Sequence, residues 1–166
     1  TLNPEFSDAH YNMGNVFKDR KDFDAAIDSY DLAIKINPKN AEIYYNKGIV
    51  LNEQGNFEAA IHSYQKALKI KPNYFEALNN MGISLFESGD SGAGIDSYKR
   101  ALEINPEYAD AHYNMSLELL RDHQFKQGFL AQEWRWKALD YIGTELLTTK
   151  PLWAGEGART VFVWAE

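Results

Sequence analysis

The chain contains no cysteine, which excludes disulfides and thiolate-bound metals without fixing the compartment. Positive charge is scarce: 17 lysines and arginines stand against 24 acidic residues, for a net charge of −7. No basic run is long enough to track phosphates, so nucleic acid is not expected as a partner. No apolar stretch approaches the ~20 residues that span a bilayer, and the opening TLNPEF lacks the basic flank and apolar core of a signal peptide. A cytoplasmic location is the default expectation. Catalytic groupings are also missing. There is no Ser–His–Asp set, no glycine-rich phosphate loop and no usefully spaced carboxylate pair, so no enzyme activity, cofactor or metal is expected of this stretch. His10 and His112 fall at a helix-packing position and lie too far apart to share a metal, while His62 and His123 read as surface residues.

What is present is a large apolar fraction. Hydrophobic residues make up 45% of 166 and aromatics 14%, enough to build a core rather than a disordered chain. The arrangement is periodic. Pro4, Pro38, Pro72 and Pro106 are 34 residues apart, and the pentapeptide AHYNM at Ala9–Met13 returns at Ala111–Met115, three such steps later. Gly14, Gly48 and Gly82 keep the same step, with Ser116 fourth. So do Ala26, Ala60, Gly94 and Gly128; Tyr30, Tyr64 and Tyr98; and Ala33, Ala67 and Ala101. A fixed period of this length marks a stacked repeat.

Each unit reads as two amphipathic helices. In the second unit the first helix is expected over about 41–54, fading at Gly55-Asn56. The next, over about 57–70, places Ala60, Ile61, Tyr64, Ala67 and Leu68 at helical spacing. Pro72 then follows, unable to extend the ladder. Small residues belong where two helices cross closely, with Tyr64 and Leu68 filling the space beside the crossing. The third unit departs: Ser91-Gly92-Ala93-Gly94 stands where the others begin with Phe23, Phe57 and Phe125. Glycines near a helix start cost roughly 1 kcal/mol each relative to alanine, so this helix is expected to be the loosest, or to fray at its start.

The 34-residue period, the small–small–aromatic–small pattern and the terminal Asn-Pro or Lys-Pro resemble the tetratricopeptide repeat (TPR) over roughly residues 7–138. The resemblance implies an all-α fold, an α–α superhelix of about four helix-turn-helix repeats with a short non-repeat C-terminal extension. The expected units are 1–6 (the end of a preceding repeat, Leu2-Asn3-Pro4, as in a longer array), 7–40, 41–74, 75–108, a divergent capping repeat at 109–138, and a linker with a truncated strand at 139–166.

Such arrays line an inner groove with the first helix of each hairpin. Counting Ser7, Ala41, Phe75 and Ala109 as slot one, slot six is Asn12, Asn46, Asn80 and Asn114. Slot five is Tyr11, Tyr45, Asn79 and Tyr113, and slot nine opens with Asn15. A row of carboxamides matches the N–H and C=O groups of an extended peptide backbone, and the tyrosines add apolar area with a polar tip. The row resembles the asparagine ladder of the O-linked N-acetylglucosamine transferase solenoid. The same asparagines equally suit bonds between adjacent helices, and both readings stand at this level. Slot two is acidic throughout, as Asp8, Glu42, Glu76 and Asp110. Those carboxylates would repel the terminal carboxylate that chaperone-binding TPRs grip, so the expected ligand is an extended neutral or basic peptide.

Past residue 128 the pattern changes. Gln132 and Arg135 replace the expected aromatic and alanine, and Glu133-Trp134-Arg135-Trp136 suits a helix capping an exposed core. DYIGTELLTTK at 140–150 reads as a linker, Pro151-Leu152-Trp153-Ala154-Gly155-Glu156 follows, and Arg159–Glu166 is strand-like. This order resembles bacterial proteins in which a TPR array precedes a GT-B-type glycosyltransferase domain. That resemblance implies that this stretch is a recognition half, ending before catalytic residues begin. The unpaired apolar strand suggests docking onto the last helices, or a homodimer through residues 150–166. The leading expectation is a protein–protein interaction module acting as a scaffold or in substrate recruitment. The alternatives are the recognition part of a glycosyltransferase and a self-assembly scaffold.

Overall fold

In a computed structural model, which describes residues 4–132, every element is helical. The order is α1 (Pro4–Asp19), α2 (Phe23–Ile36), α3 (Ala41–Glu53), α4 (Phe57–Ile70), α5 (Phe75–Glu87), α6 (Ser91–Ile104), α7 (Ala109–Arg121) and α8 (Phe125–Gln132). The Glu133–Trp136 motif, the linker, the strand-like segment and the dimer expected through 150–166 lie outside the described residues.

The punctuation repeats with the sequence. The residue between the two helices of each hairpin is left-handed, with φ of 59° at Lys21, 77° at Gly55, 94° at Gly89 and 59° at His123. Next comes a cap: side chains of Asp22, Asn56 and Asp90 accept from the backbone N–H three residues on. Asn37, Lys71 and Asn105 close the second helices by donating their backbone N–H to Ala33, Ala67 and Ala101. α1 is described from Pro4, three residues before the register of the other first helices.

The glycine-rich helix α6 is helical from Ser91, like its counterparts. Its start carries the shortest of the three matching caps, Asp90 accepting from Ala93 N–H at 3.1 Å against 3.4 Å for the other two. The same donor is satisfied in α2 and α4, which carry the aromatic as well.

Within each hairpin one contact sets the spacing. A Cβ placed on Gly14, Gly48 or Gly82 would lie 2.5, 2.5 or 2.6 Å from the ring of Tyr30, Tyr64 or Tyr98. These rings are 0–1% exposed, so the helix backbone itself is the surface on which each tyrosine lies. Between hairpins, α2 packs on α3, α4 on α5 and α6 on α7. Ile43 and Val50 join Ala26, Tyr30 and Ala33 of the preceding unit in one core cluster. Neighbouring first helices also touch, α1 on α3, α3 on α5 and α5 on α7, more extensively than neighbouring second helices do. A two-layer stack whose one layer is closer-spaced must curve toward that layer. The first helices therefore line the inner face.

Candidate functional site

Slots two, five, six and nine share one face of each first helix, and hydrogen bonds link slot six to slot five of the preceding repeat. Asn46 Nδ2 donates to the Tyr11 hydroxyl at 2.9 Å and to the Glu42 carbonyl at 3.0 Å. Asn80 Nδ2 donates to the Tyr45 hydroxyl at 3.2 Å. Asn114 Nδ2 donates to Asn79 Oδ1 at 3.0 Å. Each bond runs from slot six back to slot five of the preceding repeat, 35 residues earlier.

These bridges decide what each side chain still offers. Both amide hydrogens of Asn46 are committed, leaving its Oδ1 as acceptor. The Tyr11 and Tyr45 hydroxyls each accept one bond and retain a proton to donate. Asn79 is only 3% exposed and donates to Asn80 Oδ1 at 3.2 Å; it supports Asn80 and Asn114 and presents little of itself. Asn12 is exposed, and Tyr113 is half-buried. Asn15 accepts the Tyr30 hydroxyl at 2.8 Å, so its Oδ1 anchors a core tyrosine.

Aromatic packing holds the tyrosines. Tyr45 lies between Tyr64 and Tyr74, ring centroids 6.1 and 4.8 Å away, and Phe75 meets the edge of Tyr108 at 4.9 Å. Lys71 Nζ sits 4.1 Å from the Tyr74 ring centroid, a cation held on an aromatic face. The acidic slot acts on these phenols. Burial pushes the Tyr45 hydroxyl upward, Glu76 and Asp110 add to the rise, and the hydrogen bond from Asn80 opposes it. Tyr74 and Tyr108 are raised too, first by burial, and then by Tyr45, Glu42 and Glu76 at Tyr74 and by Asp110 at Tyr108. The rim is thus phenolic and anionic.

Sequence reasoning did not single out Tyr74 and Tyr108, which precede slot one, or the buried Glu118 at slot ten. The 34-residue spacing of the two tyrosines was the available signal. His112 Nε2 lies 2.8 Å from the Pro106 carbonyl oxygen. A cavity of about 200 Å³ lies away from the ladder, lined by Asp31, Lys47, His62 and Lys66 among others; Lys47 there is bonded to Asp31 at 2.6 Å. Among the described residues no group of histidines and acids is placed to hold a metal, and no helix is long and apolar enough to cross a membrane.

A family model described as TPR repeat matches residues 14–55, 48–89 and 84–117. Among solved structures, MamA protein is 26% identical, with a TM-score of 0.73 over 82% of this chain and 74% of that one. The Arabidopsis OM64 TPR domain is 24% identical, with a TM-score of 0.66 over 69% and 94%. The first TPR of Spaghetti (RPAP3), solved bound to the HSP90 peptide SRMEEVD, is 19% identical, with a TM-score of 0.70 over 72% and 95%. No curated protein matches significantly.

Proposed function

The chain belongs to the tetratricopeptide-repeat family, and from that premise we propose that it is a protein-interaction module whose inner groove takes an extended neutral or basic peptide. The observation that carries this reading is the bridged row itself. Tyr11 and Tyr45 keep hydroxyl protons to donate, and Asn46 keeps a carbonyl oxygen to accept, across the first two repeats. Donors and an acceptor set out along successive first helices fit main chain without reading side chains. The bridges hold the row rigid, so less ordering is required when a ligand arrives.

The acidic second slot gives the sign of the ligand. Asp8, Glu42 and Asp110 are exposed and Glu76 is half-buried. The RPAP3 domain was solved with an acidic peptide; four like-signed carboxylates along this rim disfavour such a ligand. Titration calorimetry with extended lysine-containing, neutral and SRMEEVD peptides is the test. The lysine-containing peptide is expected to bind at least tenfold tighter than SRMEEVD at low salt, with the gap narrowing as salt screens it. Tighter binding of the acidic peptide would overturn the reading.

A further inference from the structure

Slot ten of the first helices is a packing position. Val50 is fully buried in the core of the preceding unit. Ser84 is equally buried, and its hydroxyl donates to Asn52 Oδ1 at 2.7 Å. In α7 the slot holds Glu118, 8% exposed, whose Oε2 has no hydrogen-bond partner among the described residues. A buried carboxylate oxygen without a donor disfavours the charged form, because water has been removed and nothing replaces it.

Among the described residues, charges of both signs reach it. From α5, Glu87 adds a like charge; from α6, Tyr98 feels Glu118 across the junction; from its own helix, Arg121 attracts it. Arg121 is itself stacked over the Phe86 ring, 4.7 Å from guanidinium carbon to centroid. His123 in the following turn and Lys126 in α8 are exposed. Burial is the largest influence and pushes the Glu118 carboxyl up to about 7, with Arg121 opposing and Glu87 adding to the rise.

We propose that Glu118 is a pH-sensitive latch: protonated, it lets the hairpin α7–α8 close onto α5–α6, and ionised, it loosens that junction. The direction follows from the folded group being harder to ionise than the open one. Stability from the closed junction is complete below the ordinary carboxylate range. It is lost progressively as pH rises, until the folded group too has ionised near neutrality. The other junctions carry Val50 and Ser84 at this slot, so the response is confined to one end of the array. The latch stands whether or not the groove takes a peptide.

Native-state hydrogen exchange from about pH 5.5 to pH 8.5 tests it, with amides of α3–α4 as the reference within the same molecule. After correction for intrinsic exchange, protection in α7 relative to α3 is expected to fall roughly thirtyfold across that range in the wild type. Glu118→Gln, which keeps the shape and cannot ionise, is expected to hold the ratio constant, as is Glu118→Val, which restores the α3 residue. A wild-type ratio that does not change with pH overturns the latch. So does a Gln variant that loses protection in parallel with the wild type.

Discussion

Gly48→Ala is expected to destabilise the array by about 3 kcal/mol, through overpacking. The new methyl would stand 2.5 Å from Tyr64 Cε1 and 2.8 Å from Cδ1, well inside carbon–carbon contact distance. The ring cannot swing away. It is 1% exposed and sits in the same core cluster as Ala41, Leu51, Ala60 and Ala67. Relief therefore requires α3 and α4 to separate, which also disturbs the neighbouring hairpins that rest on them. Tyr64→Leu alone opens a cavity and is expected to cost about 2–4 kcal/mol. Combined, the two changes are expected to cost less than their sum, because the smaller side chain makes room for the methyl. Urea unfolding of the four proteins measures this. Strict additivity would show that glycine is at position 48 for some reason other than the ring.

The period of this fold was legible from prolines, glycines and tyrosines alone, because a stacked repeat writes its geometry once per unit. What spacing could not supply was which series touch. Gly48 and Tyr64 are 16 residues apart on different helices, and only the antiparallel crossing brings them together. The start of α6 was legible too: it is helical from Ser91, and Asp90 keeps step with the caps Asp22 and Asn56.

The candidate site was half legible in the same way. Slot counting placed the asparagines and tyrosines on one face, but not the pairing of Asn46 with Tyr11, a bond between repeats that no single helix pattern contains. Glu118 carried a readable signal, a carboxylate in a slot otherwise filled by Val16, Val50 and Ser84. Its orphaned oxygen depends on where Arg121 and Phe86 lie, and spacing is silent on that. The resemblance to glycosyltransferase-linked arrays rests on letters beyond residue 132, outside the described residues.

The bridges make the ladder testable in a sharper form than the sequence allowed. Asn46→Ala removes the bonds to the Tyr11 hydroxyl and the Glu42 carbonyl, and Asn80→Ala removes the bond to Tyr45. Asn46 is half-buried, so water can take over its freed partners at a cost of about 1 kcal/mol, whereas Asn80→Ala also strips the acceptor from Asn79 Nδ2, a side chain only 3% exposed, and is expected to cost about 2 kcal/mol. They sit in successive repeats and share no partner, so together they are expected to cost about 3 kcal/mol. Stability loss alone cannot therefore distinguish a structural asparagine from a ligand-binding one. Affinity at a temperature where the variant remains folded does so. If the row reads peptide main chain, the double variant loses an acceptor and two positioned tyrosines, and at least a tenfold drop in affinity for the lysine-containing peptide is expected. The helical content measured in the same sample shows that the array is intact. A folded double variant that binds as tightly as the wild type would make Asn46 and Asn80 struts between repeats and move the ligand off this row.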